Sequence, residues 1–329
     1  MKEAMFYSKN NGKIRCKLCI FQCTIEEGRR GFCGVRENRK GKLYNLIYGK
    51  LTSFSVDPIE KTPCFHFYPN NRFLMIGSAG CNLRCEFCLT WNITQVPLEE
   101  ISTVFLMPKK LVRAALELDC KGIVYTHSEP TLNLEYYSEI MKDADEKKLL
   151  NVFATNGLIS KDAFKHISNY TDAVIISLKG DDSFYRNVCG SSRKKVLNEI
   201  RDLALFIKEE KIHLEIVYVL IPNYQKNLGE VINFAGLLNS PLIFLRYIPS
   251  YRMDNISSTP LDVMESALNL AYESGLEYVY LENIYSHPGK NTYCPKCKNL
   301  IIKREGYDIT DWKLMEKKCK CGNEIPLVF

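Results

Sequence analysis

Three cysteines fall within eight residues in the run Gly80-Cys81-Asn82-Leu83-Arg84-Cys85-Glu86-Phe87-Cys88, a C-x3-C-x2-C spacing. Thiolates so placed can grip the corners of one cubane, and soft sulfur ligands select iron-sulfur clusters or zinc. Three is the informative number. A four-iron cluster held by three side chains keeps one iron for a small molecule, whereas a zinc knuckle needs a fourth ligand from elsewhere in the chain. Two further groups flank this loop. Cys294-x2-Cys297 and Cys319-x-Cys321 approach a zinc ribbon, with four thiolates closing a structural site for zinc or a rubredoxin-like iron. Cys16-x2-Cys19-x3-Cys23-x9-Cys33 offers four more thiolates, with Gly28, Gly31 and Gly34 letting the chain turn back. Structural zinc is the first expectation there, and an auxiliary iron-sulfur cluster acting as electron relay is the second, because spacing alone does not encode the metal.

The clusters account for 4 + 3 + 4 = 11 of the 14 cysteines in the 329 residues. Such tight spacing in a large chain presents thiolates to metal rather than to disulfides, which predicts a reducing compartment, most simply the cytoplasm. Of the rest, Cys64 and Cys120 read as core thiols. Cys189 follows the fourth predicted strand on the catalytic side and is a candidate thiol hydrogen donor. His127 and His287 default to satisfied packing. A chain with 46% hydrophobic and 25% charged residues folds around a large core. Its first thirty residues are basic and no run of eighteen apolar residues occurs, which predicts neither a membrane span nor a cleaved export signal. The net charge of 44 − 38 = +6 is dispersed. A zinc-rich nucleic-acid binder, the competing class, needs a concentrated basic face with interleaved aromatics, so no nucleic-acid partner is expected.

The elements that must position these residues form three regions: a four-cysteine module over 1–70, a barrel over 71–287 and a ribbon-like module over 288–329. From about residue 72, short β-branched runs alternate with amphipathic segments, the pattern of repeated βα units. Strands are predicted at Phe73–Ile76, Ile123–Tyr125, Val152–Ala154, Ala173–Ile176, Leu214–Val219 and Ile243–Leu245, with a further run at Tyr278–Leu281. Helices are predicted from Pro108 to near Asp119 and over 133–148, 193–210, 225–238 and 261–274. The fold class is therefore α/β, a partial (β/α)6 TIM-like barrel with small cysteine-rich modules at both ends. In such folds the loops at the carboxyl ends of the strands build the active site, so the cysteine loop after the first strand faces the mouth.

That loop resembles the one in radical S-adenosylmethionine (SAM) enzymes, whose pattern is C-x3-C-x-aromatic-C, with Phe87 in the aromatic slot. The resemblance implies a [4Fe-4S] cluster on Cys81, Cys85 and Cys88 whose open iron chelates the methionine end of SAM. It also implies one-electron cleavage to a 5′-deoxyadenosyl radical that abstracts hydrogen from substrate, fed by an electron donor such as a flavodoxin or ferredoxin. Glu129, in Tyr125-Thr126-His127-Ser128-Glu129-Pro130, stands where the superfamily binds the SAM ammonium through a Gly-Gly-Glu-like segment; the bland reading is an acid capping a helix. Asn156, Ser177 and Lys179 match positions lining the SAM site in the activating-enzyme branch. Arg246 reads as a ribose or carboxylate contact or a solvated charge, and Val219-Leu220-Ile221-Pro222 as an adenine-packing segment or core. That branch often has acids where this chain has Ala154 and Ser177, which argues against a carboxylate-built cation site beside the cofactor.

The likeness extends along the chain. Arg15-Cys16-Lys17-Leu18-Cys19, Arg30 to Asn38, Asp57-Pro58-Ile59-Glu60-Lys61, Trp91 and Asn291-Thr292-Tyr293-Cys294-Pro295 resemble the AmmeMemoRadiSam-system radical SAM proteins, with Leu89-Thr90 departing from a common Gln-Asn. This family is similar to pyruvate formate-lyase activating enzymes, so a glycyl-radical activase is the alternative activity. Association with Memo-like and AMMECR-like proteins is what the family resemblance implies.

Overall fold

The computed structural model describes residues 1–10, 12–224 and 227–329. Its centre is an eight-stranded sheet. Seven strands run parallel in chain order: β1 (Arg72–Gly77), β2 (Gly122–Tyr125), β3 (Leu150–Thr155), β4 (Ala173–Leu178), β5 (His213–Leu220), β6 (Leu242–Arg246) and β7 (Val279–Glu282). The eighth, Ser53–Pro58, pairs antiparallel with β1 and closes that edge. The sheet is thus a curved, open α/β barrel, as the repeating pattern predicts. Each predicted strand lies within about two residues of an observed one.

Helices cover the outer face: α1 (Pro108–Glu117), α2 (Leu134–Glu146), α3 (Lys161–Ser168), α4 (Asp182–Asn187), α5 (Val196–Glu209), α6 (Gly229–Leu238) and α7 (Leu261–Glu273). Pro108 occupies the first turn of α1, where its missing N–H costs nothing. The predicted 225–238 helix begins in the structure at Gly229, and positions 225 and 226 lie outside the described residues. Sequence reading missed α3 and α4, each of which starts on a side-chain cap: Ser160 accepts from the Ala163 N–H at 3.3 Å and Asp181 from the Phe184 N–H at 2.7 Å. Among the described residues, no helix is long and apolar enough to cross a membrane.

The period-two alternation of the strands sorts the core into two layers. Leu74, Ile76, Ile123, Val174 and Ile176 face the helices. Phe73, Met75, Val124, Val152, Ala173, Ile175, Val217 and Ile243 fill the barrel interior. Phe65 and Phe67 join that interior layer and plug the end opposite the mouth. Glu215, fully buried, holds the plug by accepting from the Phe65 N–H at 2.9 Å and the His66 N–H at 2.8 Å.

Each end module sets one buried arginine into the rest of the protein. Arg36 forks onto both carboxylate oxygens of Glu135 at the start of α2, at 2.6 and 2.7 Å, and Asn45 donates to the same group at 2.8 Å. Arg304, on the middle strand of the three-stranded carboxyl-terminal sheet, donates to the Phe65 carbonyl at 3.1 Å and stacks over the Phe65 ring at 4.7 Å.

Candidate active site

The inward row of β4 continues from Ala173 and Ile175 to Ser177 and then Lys179, so these two polar side chains emerge where the apolar filling stops. A cavity opens there, at the carboxyl ends of the strands. Cys81, Cys85 and Cys88 line it, together with Phe87, Glu129, Asn156, Ser177, Lys179 and Arg246. The cysteine loop leaves β1 through Gly80, whose φ of +88° suits glycine; a Cβ there would stand 2.7 Å from Val35 and 3.3 Å from the Cys33 carbonyl. The loop ends in the helical turn Trp91–Thr94, which sets the Thr94 hydroxyl 3.3 Å from the Cys88 sulfur. The Leu83 N–H and the Asn156 amide approach the Cys81 sulfur at 3.4 and 3.8 Å.

Burial raises the Cys81 thiol well above its ordinary range, with the Glu129 carboxylate adding to it. The neighbouring Cys189 thiol, and then burial, do the same for Cys85. Such thiols stay protonated until a metal displaces the proton, which is released to solvent, so occupancy and deprotonation are coupled. Glu129 is both of the things the sequence offers: a cap and a cavity wall. It accepts from the Thr131 N–H at 3.1 Å, the Thr155 hydroxyl at 2.8 Å and the Asn156 N–H at 2.8 Å. Burial raises its carboxyl, and those donors oppose the rise.

Lys179 donates to Ser177 at 2.6 Å, and the Arg246 Nε donates to the Thr259 carbonyl at 2.8 Å. Val219 lines the cavity, whereas Leu220 and Ile221 are core. Cys189 lies outside the cavity wall, fully buried behind the loop; its carbonyl accepts from the Arg84 N–H at 2.8 Å. Short α4 turns the chain back there, so position after a strand did not translate into access to the mouth. His127 lines the cavity, its carbonyl accepting from Thr90 at 2.9 Å, while His287 pairs with Glu265 at 3.0 Å elsewhere. Cys64 is buried on the plug with its sulfur 3.2 Å from Glu215, and together with His213 this makes a compact trio whose ligand atoms lie within 4.8 Å.

Sequence reading did not single out Ser128 and Gln95. Both line the cavity, and the Ser128 Oγ and Gln95 Oε1 are buried without a hydrogen-bond partner. A buried polar atom left unpaired is a cost that a polar ligand removes. Three thiols on one wall, an acid and amides on the next and two unsatisfied polar atoms fit a cluster with a polar cofactor on it.

The outer groups differ in geometry. Cys294, Cys297, Cys319 and Cys321 gather their sulfurs within 4.8 Å of one another, with Cys294–Cys321 and Cys297–Cys319 each 3.6 Å apart. Sulfurs about 2.3 Å from one tetrahedral ion stand about that far from each other, so this group can hold a metal ion. Cys16, Cys19, Cys23 and Cys33 instead line the walls of a small cavity.

Fold and site together define a barrel protein that presents a three-thiolate cluster loop at its mouth. Residues 75–235 match the model of the Radical SAM superfamily. The chain is 39% identical to an uncharacterized protein of Methanocaldococcus jannaschii over 338 positions spanning all of both chains. A second uncharacterized protein of that organism is 23% identical over 283 positions, 80% of this chain and 76% of its own. Among solved structures, Streptococcus suis SuiB bound to S-adenosylmethionine shares the fold at a TM-score of 0.51 and 14% identity, covering 72% of this chain and 56% of SuiB. The chain thus spans little more than half of SuiB's length. Residues 75–235 therefore form a Radical SAM superfamily domain, and the members of that superfamily are enzymes carrying a [4Fe-4S] cluster and SAM.

Proposed function

We propose that this chain is a radical SAM enzyme of oxidoreductase type within an AmmeMemoRadiSam-type system, working in the cytoplasm with an electron donor of the flavodoxin or ferredoxin kind. The observation that carries the reading is the single cavity in which Cys81, Cys85 and Cys88 meet Glu129, Asn156 and the unpaired Ser128 and Gln95. When bound, the cluster and SAM supply a 5′-deoxyadenosyl radical that takes hydrogen from a substrate at the mouth. The protein's own part is positioning and exclusion. Cys81, Cys85 and Cys88 would hold the cluster, and Glu129, kept in place by Thr131, Thr155 and the Asn156 N–H, would supply an anionic partner for the SAM ammonium. Asn156, Ser177, Lys179 and Arg246, which line the same cavity, would hold the rest of the cofactor, and the apolar row of Ala154, Ile175, Val217 and Val219 would exclude water from it. The carboxyl-terminal quartet holds a structural zinc. Memo-like and AMMECR-like proteins are the partners, a reading supported by the sequence likeness along both end modules.

Anaerobically reconstituted protein given SAM and dithionite is expected to form methionine and 5′-deoxyadenosine, and Cys85→Ala to form neither. A colourless protein holding zinc alone, with SAM recovered intact, overturns the reading.

A further inference from the structure

The amino-terminal thiols are built differently from the carboxyl-terminal quartet. Cys16 ends the strand Lys13–Cys16, Cys19 and Cys23 lie in the loop that leads to the strand Thr24–Ile25, with the Cys23 carbonyl accepting from the Cys16 N–H at 2.9 Å, and Cys33 comes from a separate turn beyond that strand. The cavity they line is otherwise walled by Phe21, Ile25, Phe32 and Leu132. Among the described residues, no three of these sulfurs converge within 4.8 Å, as one tetrahedral ion would require. The same holds for Cys81, Cys85 and Cys88, the group whose family places a four-iron cluster there. Thiolates on a cubane stand farther apart because each binds a different iron atom.

Two buried donors give the cavity its polarity. The Arg36 side chain is 1% exposed, and its Nε has no hydrogen-bond partner although the other end of the guanidinium is locked on Glu135. The Asn82 Nδ2, equally buried, also has none. Both residues line the thiol cavity. N–H groups and a fixed cation are what a dianionic, sulfur-rich cluster draws from its surroundings. Asn82 also connects the two metal-binding places: it follows Cys81, and its Oδ1 accepts at 2.7 Å from Asn156, a wall residue of the SAM cavity.

We propose that Cys16, Cys19, Cys23 and Cys33 hold a second [4Fe-4S] cluster that relays electrons to the cluster on Cys81, Cys85 and Cys88. The relay function rests on the radical SAM reading for its acceptor; the metal assignment does not. One electron enters from a low-potential one-electron carrier, reducing the outer cluster from the 2+ to the 1+ state. It then passes across the Gly80–Asn82 segment, which reoxidises the outer cluster and reduces the inner one by the same single electron.

The test uses full-length protein prepared anaerobically, with iron, sulfide and zinc counted and spectra taken after dithionite reduction. The Cys81→Ala/Cys85→Ala/Cys88→Ala variant is expected to keep about four irons and the electron paramagnetic resonance signal of one reduced cubane. A triple variant without iron, or with zinc in its place, overturns the proposal, even if wild-type protein cleaves SAM. A wild type no richer in iron than the triple variant would instead remove the barrel cluster and leave the outer one standing. In reduced wild type the two signals are expected to be broadened and split by magnetic interaction. A spectrum equal to the sum of two isolated clusters overturns the relay. Cys19→Ser/Cys33→Ser, which should lose only the outer signal, is a second check that does not depend on the triple variant folding.

Discussion

The two end modules each gather four clustered thiols and each set a buried arginine into the rest of the protein, yet they are opposite kinds of structure. At the carboxyl end the sulfurs nearly touch, Cys321 is exposed and the module is a three-stranded sheet with its own small core of Cys294, Ile301, Ile302, Leu314, Cys319, Ile325 and Leu327. At the amino end the thiols stand around a cavity roofed by the barrel's own cysteine loop, and Ile14, Leu18, Ile25 and Val35 belong to the main core. The first arrangement can be completed by one ion without consulting the barrel. The second shares a wall with it. The number of cysteines therefore says little about their role; what matters is whose core they join and how far apart their sulfurs are held.

Removing metal from the self-contained module should have the largest effect. If the quartet holds the proposed zinc, Cys294→Ala/Cys321→Ala is expected to lose that metal and the hydrogen-exchange protection of residues 292–325, with the iron content unchanged; a protected module in the metal-free variant would break the comparison. Next come the buried arginines. Arg36→Met leaves the Glu135 carboxylate buried without its cation, and loss of one partner of such a pair costs about 3–5 kcal/mol in denaturant unfolding. Arg304→Met takes the guanidinium donor from the Phe65 and Lys290 carbonyls, a cost of about 1–3 kcal/mol. Burial already raises the nearby Glu60 to about 7, against the pull of Arg304, so that acid can take a proton when the arginine is gone. Equal losses for the two variants would erase the asymmetry.

Acid sharpens the contrast at the floor of the barrel. Burial alone would raise Glu215, but His213, His66 and the Phe65 N–H outweigh it and hold the carboxyl at about 2. Because this folded value lies below the ordinary 4.5, the stabilisation is present above 4.5 and is lost as pH falls toward 2. Between about pH 6 and about pH 3 the wild type should lose more unfolding free energy than Glu215→Gln, and a parallel decline in both would refute the assignment. The smallest effect is expected for Cys189→Ala. Its sulfur lies behind Cys85 and off the cavity wall, so iron content and SAM cleavage should match the wild type; loss of the barrel iron would make Cys189 a ligand.

What could be read from the sequence follows physical locality. The barrel strands were legible because runs such as Ala173–Ile176 are apolar on both faces, and the cysteine loop because its ligands sit within eight residues. The edge strand Ser53–Pro58 has no fully buried residue on either face and gave no such run. Helix α3, eight residues long, offers only Ala163, Phe164 and Ile167 as an apolar stripe. Ser128, Gln95 and Asn82 were missed because a lone polar residue has no spacing to betray it. The contrast between the two outer thiol groups was invisible for a related reason: separations along the chain do not fix separations between sulfurs.

The Gly80–Asn82 segment has one more consequence. With Cys33 pressed against one side of it and the SAM cavity on the other, it is a partition a single peptide thick. Evolution can lengthen the loops beyond Cys88 or remodel the mouth to admit new molecules, but it cannot thicken this septum without prising the two compartments apart. Descendants of this chain should diverge freely in what they act upon while keeping the glycine and the asparagine on either side of the first cluster ligand.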